Sequence, residues 1–176
     1  TNNDDAVAAI IAETKKHDIR MHVHVSETAS EVEGCKERHN GMTPVEYFDS
    51  MGMFDQPTLA AHCVWLTEND MDILAAKNVH VASNPISNLK LTSGICNVPE
   101  LYKRGINVAL GTDSSTSNNS LDFFEEMKAF ALLGKIKSGD PAAMKPEQVL
   151  YSATRAGALA QGREDCGIIK VGCKAD

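Results

Sequence analysis

Apolar residues recur along the chain in two alternating patterns: short continuous runs, and stretches in which they are three or four positions apart. The runs are typical of buried strands and the spaced stretches of amphipathic helices. Strands are predicted at residues 19–25, 58–64, 79–83 and 105–113. Helices are predicted at residues 4–16, 28–39, 44–50, 67–76, 97–104, 120–134 and 146–159. Because strands and helices alternate, we predict an α/β fold with a parallel sheet and right-handed crossovers.

Two parallel architectures fit this order of elements. One is an open doubly wound sheet, and the other is part of a (β/α) barrel. No Gly-x-Gly-x-x-Gly motif follows any predicted strand, which weakens an interpretation as a dinucleotide-binding domain.

Composition and charge narrow the classes of partner. The chain has 176 residues, of which 43% are hydrophobic and 23% charged, as in an ordinary globular domain. A net charge of -7 offers no basic field for nucleic acid or anionic membranes. No apolar run is long enough to span a bilayer, and the start "TNNDD" lacks the pattern of a signal peptide. We therefore expect a cytoplasmic protein with a small-molecule partner.

The five cysteines are scattered and never form a Cys-x-x-Cys pair, so reduced thiols are expected rather than disulfides or a zinc knuckle. Cys63 follows His62 directly, which would suit a Cys/His nucleophile. Adjacent strand residues point to opposite faces, however, so one of the two should face away from any shared site.

Polar residues lie at or just beyond the carboxyl end of each predicted strand. They are His24 with Glu27, His62, Ser83 with Asn84, and Asp113. Parallel barrels and open sheets place their active sites at this end of the strands. The sequence therefore predicts one site built from four strand ends.

The residue types at these ends suit metal chemistry, although each also has a structural interpretation. His22 and His24 share one face of their strand, and imidazole is a natural zinc ligand, while buried histidines bonded to backbone are also common. A lone His62 in an apolar strand is more often a core residue. Asp113 could belong to a helix N-cap cluster, but Asn119 or Ser120 is expected to fill that role. Together, imidazoles and a carboxylate favour an open catalytic zinc or iron site.

Longer segments of the sequence resemble the amidohydrolase superfamily over nearly the whole chain. Within it, the chain is similar to the 5-methylthioadenosine/S-adenosylhomocysteine deaminase branch, with triazine chlorohydrolases and guanine deaminases as neighbours. The segments are "HVHVSET", "GCKERHNGMTPVEYFDSMG", "AAHCVWLTENDMDILA", "SNPISNLKLTSGICNVPELYKRGINVALGTDSSTSNNSLDFFEEMKAFALL" and "GIIKVGCKAD".

The resemblance implies a role for each strand-end residue. A His-x-His also marks the first barrel strand of this superfamily, but a Glu three residues later identifies the fifth. On that mapping His24 is a metal ligand, His22 is not, and Glu27 is a proton shuttle that contacts the ring nitrogen of the substrate. His62 orients or polarises the attacking water. Asp113 binds the metal and takes the proton of the water.

The resemblance also implies the reaction and the cofactor. One divalent metal, zinc or alternatively iron, would supply hydroxide to the carbon that bears an exocyclic amine, and ammonia would leave, or chloride in a chlorohydrolase. Glu27 and His62 would contact the heterocyclic substrate. Asn84, Ser87 and Asn88 match the seventh-strand loop at the substrate pocket. A purely structural role for these three residues is an equally good interpretation.

The chain departs from the family pattern in its extent. Its first predicted strand already matches the fifth of eight, and no second His-x-His precedes it. We therefore interpret residues 1–176 as the second half of a (β/α)8 barrel, family strands 5 to 8 with their helices, without the N-terminal half and the β-sandwich domain.

This interpretation sets expectations for the chain by itself. With only two of the metal ligands, it should bind zinc weakly or not at all and be catalytically silent. Its open strand edges should favour a homo-oligomer. The alternative from another class is a non-catalytic α/β binding or assembly module that keeps the sheet without the chemistry.

Overall fold

The four strands form one parallel sheet in the order β1-β2-β3-β4 in this computed structural model, which describes residues 3–175. The strands are β1 (Met21–Val25), β2 (Thr58–His62), β3 (His80–Ser83) and β4 (Val108–Leu110). Their register places His24 beside Ala61, Ala61 beside Ala82, and Ala82 beside Ala109. Each strand thus neighbours the next one along the chain, and all carboxyl ends meet at one edge.

Ten helices and one 3₁₀ turn (Met53–Asp55) connect and follow the strands in the described residues. The helices are α1 (Asp4–His17), α2 (Ala29–Arg38), α3 (Pro44–Ser50), α4 (Glu68–Ala76), α5 (Pro85–Lys90), α6 (Val98–Lys103), α7 (Ser115–Asn118), α8 (Phe123–Ser138), α9 (Pro146–Ala153) and α10 (Arg155–Ala160). In residues 3–175, no helix has the length and apolar character needed to cross a membrane.

Threonine side chains start three of these helices. Thr28, Thr43 and Thr67 each accept a hydrogen bond from the backbone N–H three residues on, which satisfies a donor that the helix itself leaves unpaired. The caps at Thr43 and Thr67 are joined, because the Thr43 hydroxyl donates to the fully buried Asp70 at 2.5 Å. Two helix starts are thereby locked to one another.

The two faces of the sheet have different characters. One face carries Val25, Ala60, Val81 and Val108 into the main hydrophobic core beneath the helices. On the other face His22 and His24 are exposed, and part of it is covered by α10, whose alanines pack on Ala109 and Leu59. The exposed inner face leads directly to the carboxyl ends of the strands.

The structure corrects two predicted helices. The helix predicted at 146–159 is two helices that break at Thr154, with φ -130° and ψ -85°. The apolar spacing continues through the break, but Val149 of α9 packs into the main core on one face of the sheet, while the alanines of α10 pack beside Ala109 on the other face. The helix predicted at 120–134 begins at Phe123 and continues to Ser138.

The predicted N-cap of that helix was also wrong. Asn119 ends α7 with a left-handed φ of 69°, and the Ser120 hydroxyl accepts from the Asp122 N–H. Asp122 itself caps α8, through bonds to the N–H groups of Phe124 and Glu125. A carboxylate next to the exposed N–H groups of a helix start is favoured by the helix dipole, and this outweighs the amide and hydroxyl nearby.

Candidate active site

His24 and His62 lie side by side at the carboxyl ends of β1 and β2. Their rings are stacked, with centroids 5.3 Å apart and planes inclined by 22°. By register His62 pairs with Val25, a core residue, so simple strand alternation would bury it beneath the helices. Instead the Cys63 N–H donates to the Ala61 carbonyl across His62, whose φ is 71°. This tight, strained turn brings the imidazole to the active-site end of the sheet.

The imidazole of His62 is held by Asn88. Nδ1 of His62 lies 2.8 Å from Oδ1 of Asn88, and both side chains are only 1% exposed. The Asn84 amide nitrogen is 3.4 Å from the same Nδ1, and the shorter contact assigns the proton to Nδ1 as a donor to Asn88. Nε2 is then the nitrogen on the side of Glu27, 3.7 Å from a carboxylate oxygen of that residue. Asn88 therefore contacts His62, while its predicted contact with substrate stays a prediction.

Two residues outside the predicted site hold Glu27 in place. The Ser93 hydroxyl donates to Oε1 of Glu27 at 3.2 Å. The Glu31 carboxylate accepts from the backbone N–H groups of Ser26, at 3.2 Å, and of Glu27, at 2.7 Å. The turn between β1 and α2 is thus fixed at its backbone, and Glu27 keeps a free carboxylate oxygen toward His62.

Asp113 follows β4 in a left-handed conformation, with φ 59°. Its carboxylate accepts from the Ser87 hydroxyl at 2.6 Å and from the Ser114 N–H at 2.8 Å. Burial raises the pKa of this carboxyl, but the bonds from Ser87, Ser114 and Ser117 and the nearby His62 outweigh it, so the pKa lies below its ordinary value. Asp113 is therefore an anion near neutral pH.

A cavity of about 280 Å³ brings several of these residues together on the inner face. His22, His24, Asn84 and Asp113 line it. A Cβ at Gly111 would collide with Oδ1 of Asn84, so glycine makes room for the Asn84 side chain beside the end of β4. We call His24, Glu27, His62 and Asp113 the strand-end cluster. Glu27 and His24 also border a neighbouring groove of about 840 Å³.

The donor set of the cluster suits a divalent metal but is incomplete. His24 offers an imidazole and Asp113 an ionised carboxylate, the ligand types that zinc prefers. Across residues 3–175, no group of three or more His, Cys, Asp or Glu side chains is placed to hold an ion. The imidazole and the carboxylate are donor types that suit such a metal, and the role of His24 and Asp113 as its ligands stays a prediction.

Cys63 has no part in this chemistry. It is 1% exposed in the hydrophobic core, and burial raises its pKa well above the ordinary thiol value. The expectation that Cys63 and His62 face different environments is met, and a Cys/His nucleophile is excluded because a buried protonated thiol is a poor nucleophile.

The whole sequence matches a known protein family, and polar residues at the strand ends are in keeping with that match. The sequence profile described as the amidohydrolase family matches residues 1–176.

The chain belongs to the amidohydrolase family.

Curated amidohydrolase relatives include deaminases of adenosine derivatives. A 5-methylthioadenosine/S-adenosylhomocysteine deaminase of Pelotomaculum thermopropionicum is 50% identical over 156 residues, covering 89% of this chain and 36% of that protein. A 5'-deoxyadenosine deaminase of Methanothermobacter thermautotrophicus is 46% identical over 176 residues, covering 100% of this chain and 41% of that protein. This amidohydrolase chain thus spans about two fifths of the length of the relatives it matches.

A solved amidohydrolase structure has the same fold. An adenosine deaminase from Xanthomonas campestris with bound zinc matches with a TM-score of 0.95 and 36% identity, over 100% of this chain and 40% of that one. The predicted fold class, part of a (β/α)8 barrel with parallel strands alternating with helices, is confirmed. It stays a prediction that the four strands are the fifth to the eighth of the barrel. It also stays a prediction that residues 1–176 do not include the N-terminal half and the β-sandwich domain.

Sequence reasoning missed the residues that hold the amidohydrolase site in place. For Glu31 a signal existed, since Thr28 and Glu31 have the spacing of a capping box, and the carboxylate reaches past the cap to the Glu27 N–H. For Ser93, which lies 66 positions from Glu27, no local pattern could have indicated the contact.

Proposed function

We propose that this chain supplies the general acid and base residues of a metal-dependent hydrolytic deaminase that acts on adenosine derivatives altered at the 5′ position. The observation that carries the proposal is the strand-end cluster itself. An ionised carboxylate, two stacked imidazoles and a second carboxylate come from the ends of three parallel strands, as hydrolysis at an aromatic carbon requires. The curated names of the relatives support the class of substrate.

Each residue has a defined part in the proposed reaction. Asp113, an anion at neutral pH, accepts a proton from the attacking water. His62 orients that water through Nε2, the ring nitrogen on the side of Glu27, while Asn88 keeps the ring in one tautomer. Glu27 carries the other proton of that water to the ring nitrogen, so the intermediate at the attacked carbon need not carry an unscreened charge. The proton on Asp113 then passes to the amino group as the C–N bond breaks, ammonia leaves, and the attacked carbon becomes a carbonyl with both carboxylates regenerated.

His24 and Asp113 would hold the divalent cation, which we propose to be zinc, with iron as the alternative. When bound, such a cation lowers the pKa of water toward neutrality and makes hydroxide available. We expect these two ligands alone to bind zinc weakly, because affinity depends on the number of preorganised ligands. His22 lines the same cavity, and partial burial, together with the neighbouring His24 and His62, lowers its pKa. The family resemblance gives His22 no ligand role, and none is proposed.

Asn84 is the proposed contact to the heterocycle. It lines the inner cavity, is 6% exposed, and makes no capping bond to the helix that it precedes. Its amide can therefore offer both a donor and an acceptor to a purine edge.

Two further proposals concern the oligomeric state and the cellular location of the protein. For the chain by itself, the outer edges of β1 and β4 each have an unpaired side in the described sheet, which favours association into a homo-oligomer. A cytoplasmic location is supported by the free thiols of Cys35, Cys63, Cys96 and Cys173.

A substrate panel tests the proposed function. A protein that carries this chain within a complete amidohydrolase barrel should release ammonia from 5′-deoxyadenosine, 5′-methylthioadenosine and S-adenosylhomocysteine. Guanine and a chlorotriazine should react about 100-fold more slowly or not at all, because a site that hydrogen-bonds one heterocycle edge leaves polar groups unpaired with another. Faster release of ammonia from guanine would place the protein with the guanine deaminases. Release of chloride from the triazine would place it with the triazine chlorohydrolases. Binding of nucleosides without any turnover would favour a non-catalytic module.

A further inference from the structure

Glu126 is a fully buried carboxyl that the proposed reaction does not use. It lies in the first turn of α8 with 0% exposure. Burial raises its pKa, partly offset by hydrogen bonds from the Ile86 N–H and the Asn118 side chain. A buried carboxyl is costly unless it is hydrogen-bonded, so these two bonds are the feature to explain.

The first bond replaces a missing helix cap. Oε2 of Glu126 accepts from the N–H of Ile86 at 3.3 Å, in the first turn of α5, where helix N–H groups have no partner within the helix. Asn84 occupies the N-cap position of α5 but makes no side-chain capping bond. Because α8 supplies the acceptor, the Asn84 amide remains available to the inner cavity.

The second bond fixes the loop after β4. Oε1 of Glu126 accepts from the side-chain amide of Asn118, which also donates to the Thr112 carbonyl at 2.7 Å. Thr112 directly precedes Asp113. One carboxyl group therefore holds both α5 and the loop that carries Asp113.

These two segments carry the bonds that organise the site. From α5, Ser87 donates to Asp113 and Asn88 contacts His62. We infer that Glu126 is a positioning residue, which fixes α5 against the loop after β4 and thereby sets the placement of Asp113 and His62. Its relevance to turnover rests on the proposed function, but the placement itself does not.

Amide hydrogen exchange of a protein that carries this chain within a complete amidohydrolase barrel tests this inference without substrate or added metal. In Glu126→Gln, exchange at the Ile86 backbone N–H and at the Asn118 side-chain amide should rise about tenfold, since the single oxygen of a glutamine amide cannot replace both acceptors. Exchange at Val81, whose N–H bonds to Asn107 in the sheet, should stay within about twofold. Glu125→Gln, at the adjacent exposed carboxyl, is the matched control and should change none of these rates.

The imidazole ¹⁵N signals of His62 give a readout that general loss of stability would not move. The parent chain should show one tautomer with the proton on Nδ1, and Glu126→Gln should show a mixture. Exchange that rises equally at Val81, or a variant with unchanged Ile86, Asn118 and His62 signals, would overturn the inference.

A second variant covers the case in which Glu126→Gln does not fold. Asn118→Ala removes the bond between Glu126 and the loop, together with the bonds of the Asn118 side chain to the Thr112 carbonyl and the Ser120 N–H. It leaves the Glu126 carboxylate to accept from Ile86, so exchange should rise in residues 112–118 while Ile86 stays protected. Loss of protection at Ile86 as well, or no change in the loop, would contradict separate roles for the two oxygens. Because no assay here uses turnover, failure of the inference and failure of the proposed function are distinguishable.

Discussion

Replacing Glu27 with Gln, in a protein that carries this chain within a complete amidohydrolase barrel, is expected to lower turnover by about 10²- to 10⁴-fold. Glutamine keeps the shape of the side chain and can still accept from Ser93, as Glu27 does at 3.2 Å. It cannot carry a proton from water to a ring nitrogen. Ammonia release under saturating 5′-deoxyadenosine measures the effect, and metal analysis should find the zinc content unchanged.

The control for this substitution is on the same stretch of chain. Glu33→Gln removes an exposed carboxylate that pairs with Lys36 on the surface of α2, and turnover should stay within about twofold because exposed ion pairs contribute little. Unaltered turnover in Glu27→Gln, or a loss matched by Glu33→Gln, would remove Glu27 from the reaction. A loss accompanied by loss of zinc would make Glu27 a ligand instead of a proton shuttle.

Asp113→Asn is the second large effect that we expect. The neutral amide replaces an anionic ligand, so zinc affinity should fall at least about 100-fold, more than is typical when a residue beyond the ligands is changed, and turnover should fall with it. Competition with a chromogenic chelator measures the affinity.

Asp18→Asn is the matched control for Asp113→Asn. Asp18 is an exposed residue at the end of α1 with a left-handed φ of 50°, a conformation that asparagine adopts readily. The Asp18→Asn variant should bind zinc with the same affinity as the parent protein. If Asp113→Asn keeps parental zinc affinity, the metal is held elsewhere and the role given to β4 is wrong.

The sequence predicts the strands and long helices well because their apolar spacing is set by the core. Met21 and Val25 alternate with His22 and His24, and both faces of β1 in the structure match that pattern.

Two short helices were missed for physical reasons: α7 has only four residues, too few to show a period, and the buried positions of α5 are Pro85, Ser87 and Asn88, which form no apolar stripe. The acceptor for the first turn of α5 comes from Glu126, 40 positions away in the sequence, whereas α7 has a local cap at Ser114.

The candidate site was predictable only in part. Strand ends indicated His24, Glu27, His62 and Asp113, and family resemblance separated His24 from His22. The turn that redirects His62 was invisible to strand alternation, since it depends on a left-handed φ at a residue that is not glycine. Asn88 is 26 positions from the imidazole that it orients, and no local pattern joins two such residues.

The central claim is that His24 and Asp113, from the first and last strands of this sheet, share one cation while Glu27 stays unbound to it. The most direct measurement is anomalous diffraction at the zinc edge from crystals of a complete-barrel protein grown with zinc. We predict a single peak about 2.0–2.2 Å from an imidazole nitrogen of His24 and a carboxylate oxygen of Asp113, with both Glu27 oxygens beyond ligand distance. A peak that touches only one of these two residues, or separate peaks at each, would contradict the account.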